Sequence, residues 1–326
     1  MKTMIKKFLH GIVGSIGWRI AKLGDKKLII LMYHRILPSS DERYRFEEPG
    51  MVVSYESFRM HMQVITDEGI PVVTPEAWLE KNENERPPVA IAITFDDGWL
   101  DNYQYAFPVL KEFGFVSTLF VVTDYLGCPA PFWPNRVLRL LLDKNSVISE
   151  EWHDLVNMMP SKPVLPMSRD EAAHVIASLK HYSDDDIYRA LNKIPSSISG
   201  QIEMISADQL LEAKATMGVE VGCHTRRHYR LLEGLEESLL QEEIVESKEI
   251  LKSIISEDPT TFCFPNGDYS SRALKMVREN YVAAVTTARG HNISGNVDKH
   301  QLVRIGVHND ISDTPLKFKA RLSTFM

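Results

Sequence analysis

The stretch IAITFDDG, Ile91 to Gly98, sets two adjacent carboxylates and a glycine at the end of a short apolar run. Its apolar part predicts a buried strand at Val89–Phe95. At the end of such a strand, Asp96 and Asp97 are costly to bury unless a metal ion or a charged partner compensates them. An ordinary turn is the alternative, because Asp-Gly is common in turns. The paired carboxylates favour a functional site over a turn.

Other apolar runs have the length and composition of buried strands. They lie at Leu28–Tyr33, Pro71–Thr74, Phe115–Val122, Val219–Cys223, Thr260–Phe264, Val282–Thr286 and Leu302–Val307. Helical patterns separate many of them, for example Tyr55–Asp67, Asn102–Phe113, a capped helix from Ser206 to Gly218, Leu235–Ile255 and Ser270–Asn280. Alternating strands and helices predict a parallel sheet. Eight candidate strands predict a closed or nearly closed α/β barrel, with a doubly wound open sheet as the alternative.

The region of about residues 127–205 interrupts this alternation. It is rich in proline and has helical stretches but no clear strand. We interpret it as a mainly helical insertion into a barrel domain that spans residues 28–326.

Residues 1–27 form a separate N-terminal segment, in which three lysines precede an apolar stretch from Phe8 to Ala21. The stretch is too short and too polar to span a membrane. A signal peptide is disfavoured because no small-residue cleavage site follows. An amphipathic helix on an anionic membrane surface and a helix packed on the domain both remain open.

Charge and cysteine content restrict the class of protein. The net charge of -7 gives no global basic field, so we expect no nucleic acid partner. The three cysteines form no C-x-x-C pair, which favours a reducing compartment. We expect a cytoplasmic protein, or one at the inner face of the membrane, with export left open.

A second polar motif, HTRRH from His224 to His228, directly follows the predicted strand Val219–Cys223. Histidines four residues apart lie on one face of a helical turn, so both imidazoles could bind one metal ion. Together with Asp97 they supply two imidazoles and one carboxylate, a set that leaves positions open for water and substrate. Two surface histidines at this spacing by chance are the alternative.

Three further predicted strands end in polar or turn residues. His34 follows the first strand and His308 the last, and Pro265, Asn266 and Gly267 follow Thr260–Phe264. In barrels and open α/β sheets, active sites lie at the carboxyl ends of the strands. We therefore expect these residues at the edge where Asp96 lies, although structural histidines and an ordinary β-turn are the simpler alternatives.

The motifs TFDDG and HTRRH, in this order, resemble the polysaccharide deacetylases with a NodB homology domain, from about Leu28 to the C-terminus. LMYHR at Leu31–Arg35 and FPNG at Phe264–Gly267 resemble a bacterial branch that acts on surface or exported polysaccharides. The resemblance implies a distorted (β/α) barrel of about seven or eight parallel strands. It also implies a divalent metal ion, often zinc.

The resemblance implies a role for each matching position. Asp97, His224 and His228 would bind the metal ion. Asp96 would be the general base that takes a proton from the attacking water. A backbone N–H in the loop Pro265–Gly267, near Asn266, would stabilise the oxyanion together with the metal ion.

Two features depart from the family pattern. Cys263 stands where many members have an arginine that orients the base, so Asp96 could be tuned differently. The motif that supplies the general acid is unclear, with His308 as the candidate by order and His34 as the alternative. Arg304 could orient an acid at the site or only pair with a carboxylate.

These observations predict a metal-dependent hydrolase that removes N-acetyl groups from a sugar unit of a polysaccharide or of its lipid-linked precursor. The expected partners are a glycan or N-acetylated sugar substrate and, through residues 1–27, the membrane surface. The alternatives are a catalytically silent carbohydrate-binding relative, an O-acetyl esterase and an amidohydrolase of non-sugar amides. The sugar, the linkage and the metal ion are not identified by the sequence.

Overall fold

A computed structural model describes residues 17–20, 22–129, 132–195 and 202–323 of the protein. Its strands, numbered in chain order, are β1 (Lys27–Tyr33), β2 (Arg35–Leu37), β3 (Val52–Ser54), β4 (Val89–Phe95), β5 (Ser117–Val121), β6 (Val219–Cys223), β7 (Thr261–Cys263), β8 (Ala283–Arg289), β9 (Asn292–Ile293) and β10 (Leu302–Gly306).

The α-helices are α1 (Tyr55–Asp67), α2 (Pro75–Glu80), α3 (Phe107–Phe113), α4 (Trp133–Leu142), α5 (His153–Met158), α6 (Arg169–Leu179), α7 (Asp184–Leu191), α8 (Ala207–Thr216), α9 (Glu237–Leu240), α10 (Ser247–Ile255), α11 (Ser271–Asn280), α12 (Asn309–Ser312) and α13 (Pro315–Leu322). A π-helical segment at Asn102–Ala106 leads into α3, and another at Gln241–Glu246 joins α9 to α10. Short 3-10 turns lie at Glu42–Phe46, Glu83–Glu85, Thr123–Tyr125, Glu150–Trp152 and Pro265–Gly267.

Seven of the described strands form a closed parallel barrel in the order β1, β4, β5, β6, β7, β8 and β10. The pairs Leu31 with Ile305 and Met32 with Gly306 join β1 to β10 and close it. Some of the pairings are short, since β6 and β7 share only the pair Cys223 with Phe262. The structure confirms the predicted distorted barrel, and the open sheet is excluded.

One predicted strand, Pro71–Thr74, is wrong. Only Val72 pairs with the sheet, in an isolated parallel bridge to Ile91. Pro71 has no N–H to donate to a ladder. The Thr74 hydroxyl caps the first turn of α2 by accepting from the N–H of Ala77 at 3.3 Å. The chain therefore enters a helix before a strand can form.

The sequence signals for helix ends are confirmed. The predicted helix Tyr55–Asp67 is observed with these bounds. The capping box of Ser206 and Gln209 begins α8, and Gly114 ends α3 in the left-handed conformation at φ 69°. These signals act within one turn of chain, so tertiary packing does not alter them.

Alternate residues of the barrel strands belong to two different hydrophobic clusters, as the period of a strand requires. One cluster contains Ile91 and Ile93 of β4 together with many helix residues, so this face of the strand points outward. The other contains Ala90 and Ala92 with alternate residues of other strands, and it fills the barrel. Asp96 continues the inward-pointing set at the carboxyl end of the barrel.

Between β5 and β6 the described chain is mainly helical. Helices α4 to α7 pack around a hydrophobic cluster of their own that includes Trp133, Trp152 and Ile187. The chain returns to the barrel at Met204, which forms an antiparallel bridge with Trp99. This bridge attaches the helical region to the turn that follows β4.

Most of the predicted N-terminal segment lies outside the described residues. In the described part, Trp18 is buried and its indole N–H donates to Glu68 Oε2 at 3.0 Å. Lys22 Nζ lies 2.6 Å from the same oxygen. These contacts attach Trp18 and Lys22, which precede β1, to Glu68, the residue that follows α1.

Candidate metal centre and catalytic site

The turn after β4 holds its two aspartates in different backbone conformations. Asp96 directly follows β4, donates its N–H to the carbonyl of Tyr33 at 3.0 Å and is 2% exposed. Asp97 has φ 76° and Gly98 has φ 87°, both in the left-handed region. Asp tolerates this region better than most residues, yet a non-glycine residue there carries a conformational cost. The cost is consistent with a carboxylate that is held in place for a function.

The motif His224–His228 is a loop, and the predicted helical turn is wrong. Thr225 has φ 64° and His228 has φ 63°, so the backbone leaves the helical region twice. The Thr225 hydroxyl accepts from the N–H of His228 at 2.9 Å and closes the loop. The two imidazole rings nevertheless meet, with centroids 4.8 Å apart and planes at 73°.

Asp97 and the two histidines converge on one point. Asp97 Oδ1 lies 3.4 Å from Nε2 of His224 and 3.5 Å from Nε2 of His228. Ligand atoms around a tetrahedral metal ion with bonds of 2.0–2.2 Å are about 3.3–3.6 Å apart. Asp97 Oδ1 therefore has, from each of the two histidine nitrogens, the separation that a shared metal ion requires, and the three ligand atoms all lie within 4.8 Å of one another.

The protonation of both histidines fits this arrangement. His224 Nδ1 lies 2.8 Å from the carbonyl oxygen of Cys263, which can only accept, so Nδ1 carries a proton and Nε2 is the nitrogen that can bind metal once its own proton is lost. Burial and the neighbouring His224 lower the pKa of His228 to about 3, so this ring is neutral at pH 7. Burial lowers the pKa of His224, but Cys263 and Asp97 outweigh it and raise the pKa overall, so metal binding would release a proton there.

A second group, Asp96 with His224 and Cys263, also brings possible ligand atoms within 4.8 Å of one another. The guanidinium of Arg304 occupies this group, with Nη2 3.2 Å from Cys263 Sγ and 2.7 Å from Asp96 Oδ2. A cation already present there would repel a metal ion. The geometry therefore favours Asp97, His224 and His228 as the metal ligands.

Arg304 of β10 binds Asp96 through two parallel hydrogen bonds. Its Nη1 and Nη2 each donate to one carboxylate oxygen at 2.7 Å. The guanidinium is itself fixed, because Nε donates to the carbonyl of Thr286 at 2.8 Å. Burial alone would raise the pKa of Asp96, but the charge of Arg304 holds it below its usual range. Asp96 is thus ionised and oriented.

The two candidate acids lie in different surroundings. His34 Nε2 is 3.8 Å from Asp96 Oδ2, beside the proposed metal ligands. His308 instead directs Nδ1 toward Asp310 Oδ2 at 3.3 Å and precedes the short helix α12. The structure brings His34 next to Asp96 and places the imidazole of His308 against Asp310.

The loop Pro265–Gly267 follows β7, whose last carbonyl holds His224. Asn266 has φ 54° and Gly267 has φ 76°. A Cβ on Gly267 would lie 2.1 Å from Thr287 Oγ1, so the loop requires glycine there. The Gly267 N–H donates to Phe264 and the Asp268 N–H to Pro265, at 2.9 and 3.0 Å.

The family profile for polysaccharide deacetylases matches residues 83–161 and 185–285, which together exceed half of the chain. The chain belongs to the polysaccharide deacetylase family. The matched ranges contain Asp96, Asp97, the motif His224–His228 and the loop Pro265–Gly267, whereas His34 and Arg304 lie outside them. The case for these two residues therefore rests on their geometry.

This member of the polysaccharide deacetylase family is similar to one curated protein in sequence and to solved structures in fold. YxkH of Bacillus subtilis (strain 168) is 39% identical over 103 residues, a match that spans about a third of either protein, 31% of this chain and 34% of YxkH. The structure of the Streptococcus pyogenes deacetylase PplD in complex with acetate has a TM-score of 0.61 at 22% identity, covering 92% of this chain and 99% of PplD. IcaB from Ammonifex degensii has a TM-score of 0.57 at 21% identity, covering 91% of this chain and 98% of IcaB. At these identities the two structures show a shared fold.

Two aromatic residues at the site are not singled out by the sequence. The indole N–H of Trp99 donates to Asp97 Oδ2 at 2.8 Å. The ring of Phe132 lies 4.8 Å from that of His228. The position of Trp99, two residues after Asp97, could have indicated that it lies at the site. Nothing in the sequence indicates Phe132, because Phe132 reaches the site from the helical region.

Proposed function

We propose that this protein is a metal-dependent hydrolase that removes N-acetyl groups from a sugar unit of a polysaccharide or of its lipid-linked precursor. Its main support is the arrangement of Asp97 with two histidines. Asp97 Oδ1 lies 3.4 and 3.5 Å from two imidazole nitrogens. Next to it, Asp96 remains ionised as a potential base. Membership of the polysaccharide deacetylase family supports acetyl removal from a glycan.

Asp97, His224 and His228 would hold a divalent metal ion, for which zinc is the first candidate. A set of two imidazoles and one carboxylate also suits cobalt, nickel and iron. When bound, the ion would supply Lewis acidity that lowers the pKa of water and polarises the acetyl carbonyl. The other steps depend on side chains of this chain.

Asp96 would accept the proton of the attacking water as the water adds to the acetyl carbonyl. Arg304 holds both of its oxygens at 2.7 Å, which fixes the direction of the lone pairs. Cys263 Sγ lies 3.5 Å from Asp96 Oδ2 and occupies space without supplying a positive charge. Arg304 of β10 would thus orient the base in place of the arginine that many family members have at the position of Cys263.

His34 would donate a proton to the leaving amine of the sugar. Its Nε2 is 3.8 Å from Asp96 Oδ2, so acid and base lie on the same side of the site. His308, whose Nδ1 pairs with Asp310 at 3.3 Å, is the alternative acid. Because Arg304 and His34 can supply the two elements that the sequence left in doubt, an active enzyme is favoured over a silent carbohydrate-binding relative.

The Pro265–Gly267 loop would stabilise the negative charge that develops on the acetyl oxygen. Pro265 has no N–H, and the N–H of Gly267 already donates to Phe264. Asn266 is therefore the loop residue that can offer its N–H to the oxyanion. Its left-handed conformation, with φ 54°, turns the peptide within this loop.

The N-terminal segment supports peripheral contact with the inner face of a membrane, and hence a lipid-linked substrate. Trp18 is buried on the domain, whereas Ile20 and Leu23 are 52% and 70% exposed. Apolar side chains beside basic ones favour an anionic membrane surface. In the described residues, no helix combines the length and apolarity that crossing a bilayer would demand. Sedimentation with anionic vesicles tests the contact, which a protein that stays in the supernatant would contradict.

The substrate class is tested by acetate release from a matched panel. We expect zinc-loaded protein to release acetate from N-acetylated oligosaccharides and not from O-acetylated ones of the same backbone. Release from the O-acetylated set alone would identify an esterase. Release from neither, with zinc bound, would favour the silent binding relative or a non-sugar amide.

A further inference from the structure

Asp97 is held from two sides. Its Oδ1 faces the histidines, and its Oδ2 accepts a hydrogen bond from the indole N–H of Trp99 at 2.8 Å. Trp99 is 1% exposed, so water does not compete for this bond. A hydrogen bond to the second oxygen of a carboxylate ligand sets the direction of the first.

The indole of Trp99 is itself fixed by two side chains. The guanidinium carbon of Arg35 lies 4.1 Å from the centre of the indole. The ring of Phe132 meets it edge-on, with centroids 5.5 Å apart and planes at 78°. A cation is attracted to the face of a desolvated aromatic ring, and this attraction depends on where the cation lies above the ring. The indole N–H therefore points at Asp97 in one orientation.

Arg35 is fully buried and is surrounded by carboxylates. Its Nε donates to Asp101 Oδ2 at 2.9 Å, and Nη1 lies 3.3 Å from Glu203 Oε2 and also binds Glu47. The other oxygen of Asp101 accepts from the N–H of Ile36 at 2.9 Å. Separating a buried charge from its partners is costly, so the ion pairs of Arg35 with Asp101, Glu47 and Glu203 limit how far this network can rearrange.

The network reaches the helical region between β5 and β6. Glu203 lies where that region rejoins the barrel, and it also binds Arg139 of α4. Its carbonyl accepts from the N–H of Leu100 at 2.8 Å, and the N–H of Ile205 donates to Gly98 at 2.9 Å. The turn that carries Asp97 is therefore attached to the helical region by both backbone and side chains.

We propose that Trp99 is a positioning residue that fixes Asp97 for metal binding, and that Arg35 and Glu203 couple this function to the helical region. The inference rests on the proposed metal centre. The buried cluster of Arg35 and its carboxylates takes no part in the reaction steps proposed above, and the inference gives this cluster a role. The helical region then contributes to metal affinity and does more than border the site.

The test is zinc affinity of the full chain, measured by competition with a chelator in the absence of substrate. Trp99→Phe keeps an aromatic ring at this position and removes the N–H. We expect it to weaken zinc binding by about 10- to 100-fold. Trp78→Phe is the matched control, because Trp78 is also buried, also lies beneath an arginine (Arg86, at 3.9 Å), and is not hydrogen-bonded to Asp97. This control should bind zinc as the wild type does.

The outcomes separate the two proposals. If the wild-type protein binds no more zinc than a variant without the His224 imidazole does, the proposed metal centre is wrong. If wild type binds zinc and folded Trp99→Phe binds it equally well, only the positioning role is overturned. If Trp99→Phe fails to fold, Glu203→Gln decides the question. A loss of zinc affinity smaller than that expected for Trp99→Phe, with an unchanged melting temperature of the metal-free protein, supports the coupling. Unchanged affinity in Glu203→Gln would then overturn it.

Discussion

Arg304 Nη1 and Nη2 each lie 2.7 Å from one oxygen of Asp96, so an arginine of the last barrel strand orients the carboxylate that follows β4. A bidentate pair of this kind fixes direction as well as charge. The contact crosses the barrel interior between residues 208 positions apart. It gives the candidate base a partner despite the cysteine at position 263.

Replacing Arg304 tests this pairing. We expect Arg304→Lys to lower kcat by on the order of 100-fold with little change in KM, because lysine keeps the charge and loses the bidentate geometry. Kinetics at saturating substrate would show this, with zinc content and circular dichroism as controls. Wild-type kcat in the folded variant would mean that Asp96 needs no orientation by Arg304.

The thiol of Cys263 should be dispensable. Its Sγ lies 3.5 Å from Asp96 Oδ2, but the positive charge comes from Arg304. We expect Cys263→Ser to keep kcat within about tenfold of the wild type, since serine preserves a small polar side chain and the Arg304–Asp96 pair. A loss as large as that in Arg304→Lys would show that sulfur takes part in tuning the base.

The general acid can be identified by a pair of matched variants. We expect His34→Asn to lower kcat by about 10²- to 10⁴-fold, the usual contribution of proton transfer. His308→Asn should have a smaller effect, because it is His34 whose Nε2 lies 3.8 Å from Asp96 Oδ2. Steady-state kinetics of both variants decide between them. The reverse ranking would return the role to His308.

His61 should make the protein less stable in mild acid. It is buried, its Nε2–H donates to the carbonyl of Ser312 at 2.7 Å, and burial lowers its pKa to about 4. Its unfolded pKa is near 6.5, so only the unfolded state gains this proton between about pH 6.5 and 4. The free energy of unfolding should therefore fall by up to about 3 kcal/mol over this range as pH decreases.

Urea denaturation of wild type and His61→Gln at pH 7 and pH 4.5 measures this contribution. The difference in unfolding free energy between the two pH values should be smaller in the variant. An identical difference would show that His61 does not drive the pH dependence.

Gly267 should be intolerant of a side chain. It has φ 76°, and a Cβ would lie 2.1 Å from Thr287 Oγ1 and 2.9 Å from the Thr287 nitrogen. We expect Gly267→Ala to destabilise the protein by about 2 kcal/mol or more, and to lower kcat by displacing Asn266. Gly234→Ala is the control, because Gly234 has φ 88° but no atom within 4 Å of the added Cβ. Equal thermal stability of the two variants would contradict the steric argument.

The features that sequence predicted well are those with local causes. Helix α1 and the capping box at Ser206 depend on residues within a turn of each other, and the barrel strands on runs of apolar residues. The edge at which the site lies follows from strand direction alone. The positions of Asp96 and the histidines in one region of the fold were therefore predictable.

What sequence could not predict depends on tertiary structure or on rare backbone conformations. Arg304 and Asp96 meet only because the barrel closes. The hydrogen bond from Trp99 to Asp97 depends on the turn that follows Asp97. The histidine loop is not helical because Thr225 and His228 adopt positive φ, which periodicity cannot reveal. The proposal of His34 over His308 as the general acid likewise depends on a tertiary contact, the approach of His34 Nε2 to Asp96.

One titration shows whether this protein is a metal-dependent hydrolase centred on Asp97, His224 and His228. Metal-stripped wild-type protein is titrated with zinc while bound zinc and acetate release from an N-acetylated oligosaccharide are both recorded, with His228→Ala in parallel. We predict that activity appears in proportion to one bound zinc ion and that His228→Ala loses both. Acetate release from metal-stripped protein, or equal activity in His228→Ala, would show that the reaction does not depend on this metal centre.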